Sequence, residues 1–572
     1  MLYNILAPLA STAAIFASLT HALPAPTQTE DKRVPTTTVV TAQGTVIGAV
    51  GVVENFAGIP FAQAPVGNLR LRPPQRLNTS YGTLDATGLG PACPQMFFST
   101  GGDLFTSAIG SLTNLPLLQV ATDQTEDCLT MRVQRPVGTK PDAKLPVLFW
   151  IFGGGFELGS PQMYDGAPLL SEAVPQGKPF ILVSVNYRVG AFGFMGGKEV
   201  LADGAANLGL LDQRMGLEWV QDNIADFGGD PEKVTIWGES AGAMSVFDQM
   251  ALYDGDNTYK GKKLFRAAIM NSGSLVPTDP VDCPRSQDIY DTVVREAGCT
   301  HASDTLQCLR ETPYDKFLHA ANSVPGILSY TSMALSYLPR PDGVALRQSP
   351  EILARDGKYA AVPMIIGNQE DEGTMFSLFQ ANVTTTAELV DYLWTNFFPA
   401  LDRSVVAGLV ATYDPSPAAG SPYNTGLLNA VYPQFKRLAA ILGDMSFVMT
   451  RRIFLSHALS LHPDIPAWSY LSSFDYGTPV LGTVHASDVL QVYFSLVPNP
   501  LTNYMKSYYI DFVVDMDPNA GLDSAMRAWP RYEGQGGEMM QFWAGGRTNL
   551  LSDDFRNASY AYLKAHAEVL HL

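Results

Sequence analysis

Gly238-Glu239-Ser240-Ala241-Gly242 constrains this chain more than any other stretch, because of what flanks it. Upstream, Val234-Thr235-Ile236-Trp237 is β-branched and aromatic and reads as a buried strand. Downstream, Ala241 to Leu252 is rich in Ala, Met, Phe and Leu and suits a helix. A strand entering a helix through G-x-S-x-G makes a tight, strained turn that presents the serine oxygen outward. Side chains at the flanking glycines would collide in that turn. The pattern occurs once in the 572 residues. Alone it is a weak signal, with an exposed loop serine as the plain alternative; the strand–turn–helix setting gives it weight.

That setting extends along the chain. From residue 145 onward, strand-like runs (Pro146–Phe152, Phe180–Asn186, Val234–Trp237, Ala267–Met270, Pro363–Ile366 and Ala467–Leu471) alternate with helical patterns. Between the second and third, Leu210, Leu211, Met215, Leu217, Val220 and Ile224 recur at helical spacing. Near-continuous apolar strands separated by helices predict an α/β fold with a mostly parallel sheet covered on both faces. There is no 20- to 50-residue repeat, low-complexity linker or long charge run, so residues 34–572 are expected to form one large domain. Residues 370–465 read as mainly helical and could form a cap. Between Cys93 and Cys128, an apolar series (Met96, Phe97, Phe98, Leu104, Phe105, Ile109, Leu112, Leu115, Leu117, Leu118, Val120) is either a flap over a hydrophobic pocket or ordinary core.

Residues 1–25 read as a secretory signal peptide: Leu6 to Leu19 is largely apolar or small, and Thr20-His21-Ala22 offers a cleavage site. Lys32-Arg33 resembles a dibasic processing site, which would start the mature chain at Val34; two charges in a flexible arm are the alternative. No segment reaches the roughly 18 consecutive apolar residues of a membrane span. The formal net charge of −18 disfavours nucleic acid and anionic membrane surfaces as partners. Secretion makes cystines plausible among the five cysteines. Cys299 and Cys308 are near enough for a small loop, and the remaining pairing is open. Asn78, Asn382 and Asn557 are candidate glycosylation sites.

Acyl transfer from a serine needs a base, a carboxylate to orient it and donors for the oxyanion. Gly153-Gly154-Gly155-Phe156 follows the strand ending at Phe152 and can bring backbone amides near Ser240. In this class of fold the order is serine, acid, histidine. His457, His462, His485, His566 and His571 lie late enough. His457 and His462 fall in a helical run and suggest a metal pair without a third ligand. His566 and His571 fall in a frayed terminal helix. His485 ends a Gly- and Pro-punctuated loop, Tyr476 to His485, after a strand. For the acid, Glu370, Asp371 and Glu372 compete in the loop after Ile365-Ile366, and the residues alone do not choose. Glu239 is expected to point away from the serine as a buried ion-pair partner.

Gly-Glu-Ser-Ala-Gly-Ala at 238–243, Gly-Gly-Gly-Phe at 153–156, Glu126-Asp127-Cys128-Leu129 and Asn186-Tyr187-Arg188-Val189-Gly190 together resemble the type-B carboxylesterase/lipase family, from about residue 35 to residue 570. Gly-Gly-Gly-Phe-Glu-Leu-Gly and Asp-Glu-Gly-Thr are similar to the secreted fungal lipases within it. The resemblance implies an α/β-hydrolase fold with a lid and no cofactor or metal. It also implies Ser240 as nucleophile, Glu372 as orienting acid and His485 as base, with Gly154, Gly155 and Ala241 supplying the oxyanion hole. Cys93–Cys128 would enclose the lid, Cys299–Cys308 would form a second bridge, and Cys283 would stay free. The family pattern is broken at Arg132, where a small polar residue or Asp is usual, and at Val484, where an aromatic often precedes the histidine.

The expected function is a secreted triacylglycerol lipase acting on apolar esters, with the lipid–water interface as its possible working surface. A soluble carboxylesterase or sterol esterase without interfacial activation is the nearest alternative. A non-catalytic cholinesterase-like binding protein is disfavoured, since a binding surface has no need of serine, glutamate and histidine together.

Overall fold

A strand buried along its whole length must be covered on both faces, and such strands, near-continuously apolar, sit at the centre of this molecule. The computed structural model describes residues 35–96, 124–494, 499–534 and 536–571. The strands in chain order are β1 (Thr36–Thr41), β2 (Gly44–Val50), β3 (Val53–Pro60), β4 (Gly82–Ala86), β5 (Thr130–Pro136), β6 (Leu145–Ile151), β7 (Ile181–Val185) and β8 (Gly229–Glu239). A separate ribbon, β9 (Thr258–Tyr259) and β10 (Lys262–Lys263), precedes β11 (Ala267–Asn271), β12 (Met364–Gln369), β13 (Ala467–Ser473), β14 (Glu538–Trp543) and β15 (Arg547–Ser552). Thirteen strands among the described residues join one sheet in the order β1-β2-β3-β5-β7-β6-β8-β11-β12-β13-β14-β15, with β4 beside β2. The run from β7 to β14 is parallel; β1, β2, β3, β5 and β7 pair antiparallel in succession, as do β14 and β15, while β4 joins β2 in parallel. All residues of β7, β11, β12 and β13 are buried. This is the doubly covered, mostly parallel sheet of an α/β-hydrolase.

The helices used below are α1 (Leu208–Asn223), α2 (Ala241–Gly255), α3 (Phe435–Gly443), α4 (Met449–Leu461) and α5 (Pro500–Asp515). α2 packs on β8 and β11, and its helical geometry breaks at Leu252. Residues 370–465 are largely helical. They bury a core of their own, with Phe376, Leu389, Leu393, Phe435, Leu438 and Ile441 in contact apart from the sheet core.

Cys93 and Cys128 are bonded, as are Cys299 and Cys308, and Cys283 carries a free thiol. Met96 is buried. The rest of the apolar series from Phe97 to Val120 lies outside the described residues, as do the proposed signal peptide and the Lys32-Arg33 site. Asn78, Asn382 and Asn557 are all exposed. Among the described residues, no helix is long and apolar enough to cross a membrane.

Candidate active site

Ser240 stands between the last residue of β8 and the first of α2, with φ 57° and ψ −127°. Few non-glycine residues adopt such a backbone, and the surroundings enforce it. A Cβ on Gly238 would lie 2.2 Å from the Gly242 carbonyl oxygen, and one on Gly242 would lie 2.1 Å from that of Ile151. Backbone meets backbone on both sides of the turn, so only glycine fits.

His485 reaches this turn from the loop after β13. Its Nε2 is 2.8 Å from Ser240 Oγ and its Nδ1 is 2.6 Å from Glu372 Oε2. The other oxygen of Glu372 accepts from the Gln369 amide at 2.8 Å and from Asn368 Nδ2 at 3.2 Å. Asn368 Oδ1 in turn accepts from Arg451 Nε at 2.7 Å, which fixes which way the amide faces. Asp371 does different work: its carboxylate accepts from the Thr483 and Tyr423 amides and the Ser421 hydroxyl, clamping the histidine loop. Glu370 lies by Ser473, and burial lifts its carboxyl to about 7. Of the three competing carboxylates, only Glu372 touches the imidazole.

Phe376 and Phe447 flank His485, with ring centroids 5.2 and 4.6 Å from its own. Phe447 sits in a widened helical turn, Asp444–Val448, between α3 and α4; such turns recur at functional sites. Burial opposes a charge on His485, but the Glu372 carboxylate, with Glu239 and Asp488 behind it, outweighs burial and raises the imidazole above its ordinary 6.5.

Glu239 departs from expectation. Among the described residues it has no arginine or lysine partner; its Oε1 lies 3.2 Å from His485 Nε2, in the same buried pocket. The turn geometry alone did not reveal this, because the space is provided by Gly153, where a Cβ would come 2.7 Å from Glu239 Oε2. Burial raises Glu239 to about 8, against the pull of His485, so at neutral pH it is mainly a neutral acid.

Among the described residues, the amides of Gly154, Gly155 and Ala241 donate to no protein acceptor. Gly155 and Ala241 line, with Ser240, Met244, Phe376 and Phe447, a mostly apolar cavity. The arrangement can pass a proton from hydroxyl to imidazole and receive an oxyanion on backbone N–H groups.

The other singled-out residues stay apart from this centre. Arg132 bonds Asn55 and the Tyr164 carbonyl and pairs with Asp165, so it does not shape the cavity. His457 and His462 lie on α4 and at its end; no group of three His, Cys, Asp or Glu able to hold a metal occurs among the described residues. The chain end is not frayed. His566 stacks on Tyr562 at 4.1 Å, and His571 bridges Asp279 and Glu351 at 3.0 Å each. The roles of Asn368 and Asp248 were not legible in the sequence; Asp248, a carboxylate within the apolar helical run from Ala241 to Leu252, carries a signal that could have found it, whereas Asn368 merely opens the polar loop after Ile365-Ile366.

An elbow serine, a histidine between it and a carboxylate, and unbonded amides on this sheet define a serine hydrolase of the α/β-hydrolase class. The chain belongs to the carboxylesterase family, whose profile matches residues 35–561. It is 57% identical over 565 residues to a "Secreted lipase 1" of Botryotinia fuckeliana, covering 96% of this chain and 98% of the relative. To a secreted triacylglycerol lipase of Gibberella zeae it is 58% identical over 543 residues, covering 94% and 92%. The crystal structure of Aspergillus niger EstA superposes with a TM-score of 0.78 over 94% of this chain and 99% of that one; at 24% identity it speaks for the fold alone. The chain is a serine carboxylic ester hydrolase.

Proposed function

We propose that this protein is a secreted triacylglycerol lipase that works through an acyl-enzyme on Ser240. The observation that carries the reading is the 2.8 Å approach of His485 Nε2 to Ser240 Oγ at the mouth of an apolar cavity. His485 takes the serine proton as Oγ attacks the ester carbonyl, and Glu372 steadies the imidazolium. The amides of Gly154, Gly155 and Ala241 bind the oxyanion; one such donor contributes about 3 kcal/mol of transition-state stabilisation. The alcohol departs with the proton from His485, and water releases the acid by the same steps in reverse order. The names of the two secreted lipase relatives support both export and a lipid ester substrate.

Initial rates against tributyrin and triolein through their solubility limits test the substrate. A jump on emulsion formation is the expected result; smooth saturation would make the protein a plain carboxylesterase or sterol esterase. Ser240→Ala should lose turnover while keeping its circular dichroism spectrum, and retained turnover would exclude Ser240 as nucleophile.

A further inference from the structure

Three polar side chains lie on the buried body of α2. Two are anchored by hydrogen bonds: Ser245 accepts from Gln213 at 3.0 Å, and the Gln249 amide nitrogen donates to the Leu210 carbonyl at 2.8 Å and to Gln213 at 3.1 Å. Asp248 is not. It is 4% exposed, has no hydrogen bond or ion pair among the described residues, and lines the same cavity as Ser240. Buried polar groups in folded proteins almost always have partners, and an unpartnered one facing a binding cavity points to what binds there. The hydroxyl oxygens of two other lining residues, Thr278 and Ser446, are buried out of reach of the open space, so Asp248 is the polar group that this wall presents. Burial alone lifts the Asp248 carboxyl to about 8, so near neutrality it offers both an O–H donor and an acceptor oxygen.

Position sets where on a ligand this group acts. Ala241, Met244 and Asp248 follow one face of α2, and seven residues of helix place Asp248 roughly 10 Å along the axis from Ala241. A plain alkyl chain in this cavity would leave Asp248 without water and without a partner, whereas an oxygen carried partway along the chain would satisfy it.

We propose that the far part of the acyl cavity is a polar subsite, in which Asp248 hydrogen-bonds a hydroxyl borne mid-chain by the acyl group, so that esters of mid-chain hydroxy fatty acids are preferred substrates. This rests on the reading of Ser240 as nucleophile and of the cavity as its acyl site.

The test is kcat/KM on p-nitrophenyl esters of three acids: stearic acid, a hydroxystearic acid with the hydroxyl near mid-chain, and one with it beside the carboxyl. The wild type is expected to favour the mid-chain ester over stearate by roughly tenfold, the worth of one good hydrogen bond. The ester hydroxylated beside the carboxyl should gain nothing. Asp248→Leu should bring the mid-chain ratio to about one, and Asp248→Asn, which keeps a donor and an acceptor, should retain most of it. These ratios do not depend on how much of a variant folds, and the wild-type comparison stands without any variant. A wild type indifferent to hydroxyl position, or a ratio that Asp248→Leu leaves unmoved, overturns the subsite. A wild type that cleaves none of the three, with a Ser240 that resists fluorophosphonate labelling, overturns instead the ester-hydrolase reading beneath it.

Discussion

At the scale of single residues, the chemistry is set by what surrounds His485. Its imidazole must be neutral to accept the Ser240 proton, so activity falls as pH drops through its pKa. Because Glu372 outweighs burial and raises that pKa, the acid limb of kcat/KM should have its midpoint above pH 6.5. Glu372→Gln removes the carboxylate charge, which lowers the imidazole's pKa. It should therefore move the limb toward lower pH while cutting kcat by about 10³- to 10⁴-fold through lost orientation of the ring. A rate that stays flat from pH 7 to 4 would contradict His485 as the base. The same neighbourhood separates what was legible from what was not. Ser240 and His485 could be read from turn chemistry and chain order, because both sit where Gly-punctuated loops leave buried strands. The choice of Glu372 over Glu370 and Asp371 could not be read from turn chemistry or chain order, since all three are adjacent; the family resemblance pointed to Glu372, and in the structure it is Glu372 that the histidine loop from over a hundred residues away approaches.

At the scale of elements, Arg451 on α4 joins pieces that the chain keeps far apart. It forms a bidentate pair with Asp553 at 2.9 Å, donates to Ser469 on β13 at 2.8 Å, and orients Asn368 on β12, which holds Glu372. All of these groups are buried. Arg451→Met would strand the Asp553 charge inside the protein, and should cost about 3–5 kcal/mol in urea unfolding while lowering kcat through a less fixed Glu372. Stability within 1 kcal/mol of wild type would show that water relieves Asp553, against this account. The parallel strands β6, β7, β8, β11, β12 and β13 were readable within about two residues at most of their ends, because cover on both faces demands near-continuous apolar runs. β1 to β5 and β14 to β15 escaped notice. β1 alternates exposed and buried Thr and Val, and β4 is mostly exposed, so neither builds the continuous signal of a central strand.

For the molecule as a whole, proton uptake links stability to pH. Glu157, Glu239 and Asp248 are each pushed up to about 8, burial being the leading cause, and His571 is raised to about 9 by Asp279 and Glu351 in spite of burial. Each folded pKa lies above its unfolded value, so each group stabilises the fold fully below the unfolded value. That contribution is lost as pH rises through the folded one. Tm measured by calorimetry should therefore fall between pH 6 and 9; a Tm that climbs over that range would contradict these assignments. Catalysis and endurance then pull in opposite directions along the pH axis, since a deprotonated His485 is needed for the first. One helix carries a last consequence. α2 begins at Ala241, beside Ser240 on the cavity wall, and presents Met244 and Asp248 one and two turns further along the same wall. It acts as a ruler whose zero mark is welded to the catalytic turn, so altering the marks at 244 and 248 offers a way to retune which chains are read without disturbing the reader.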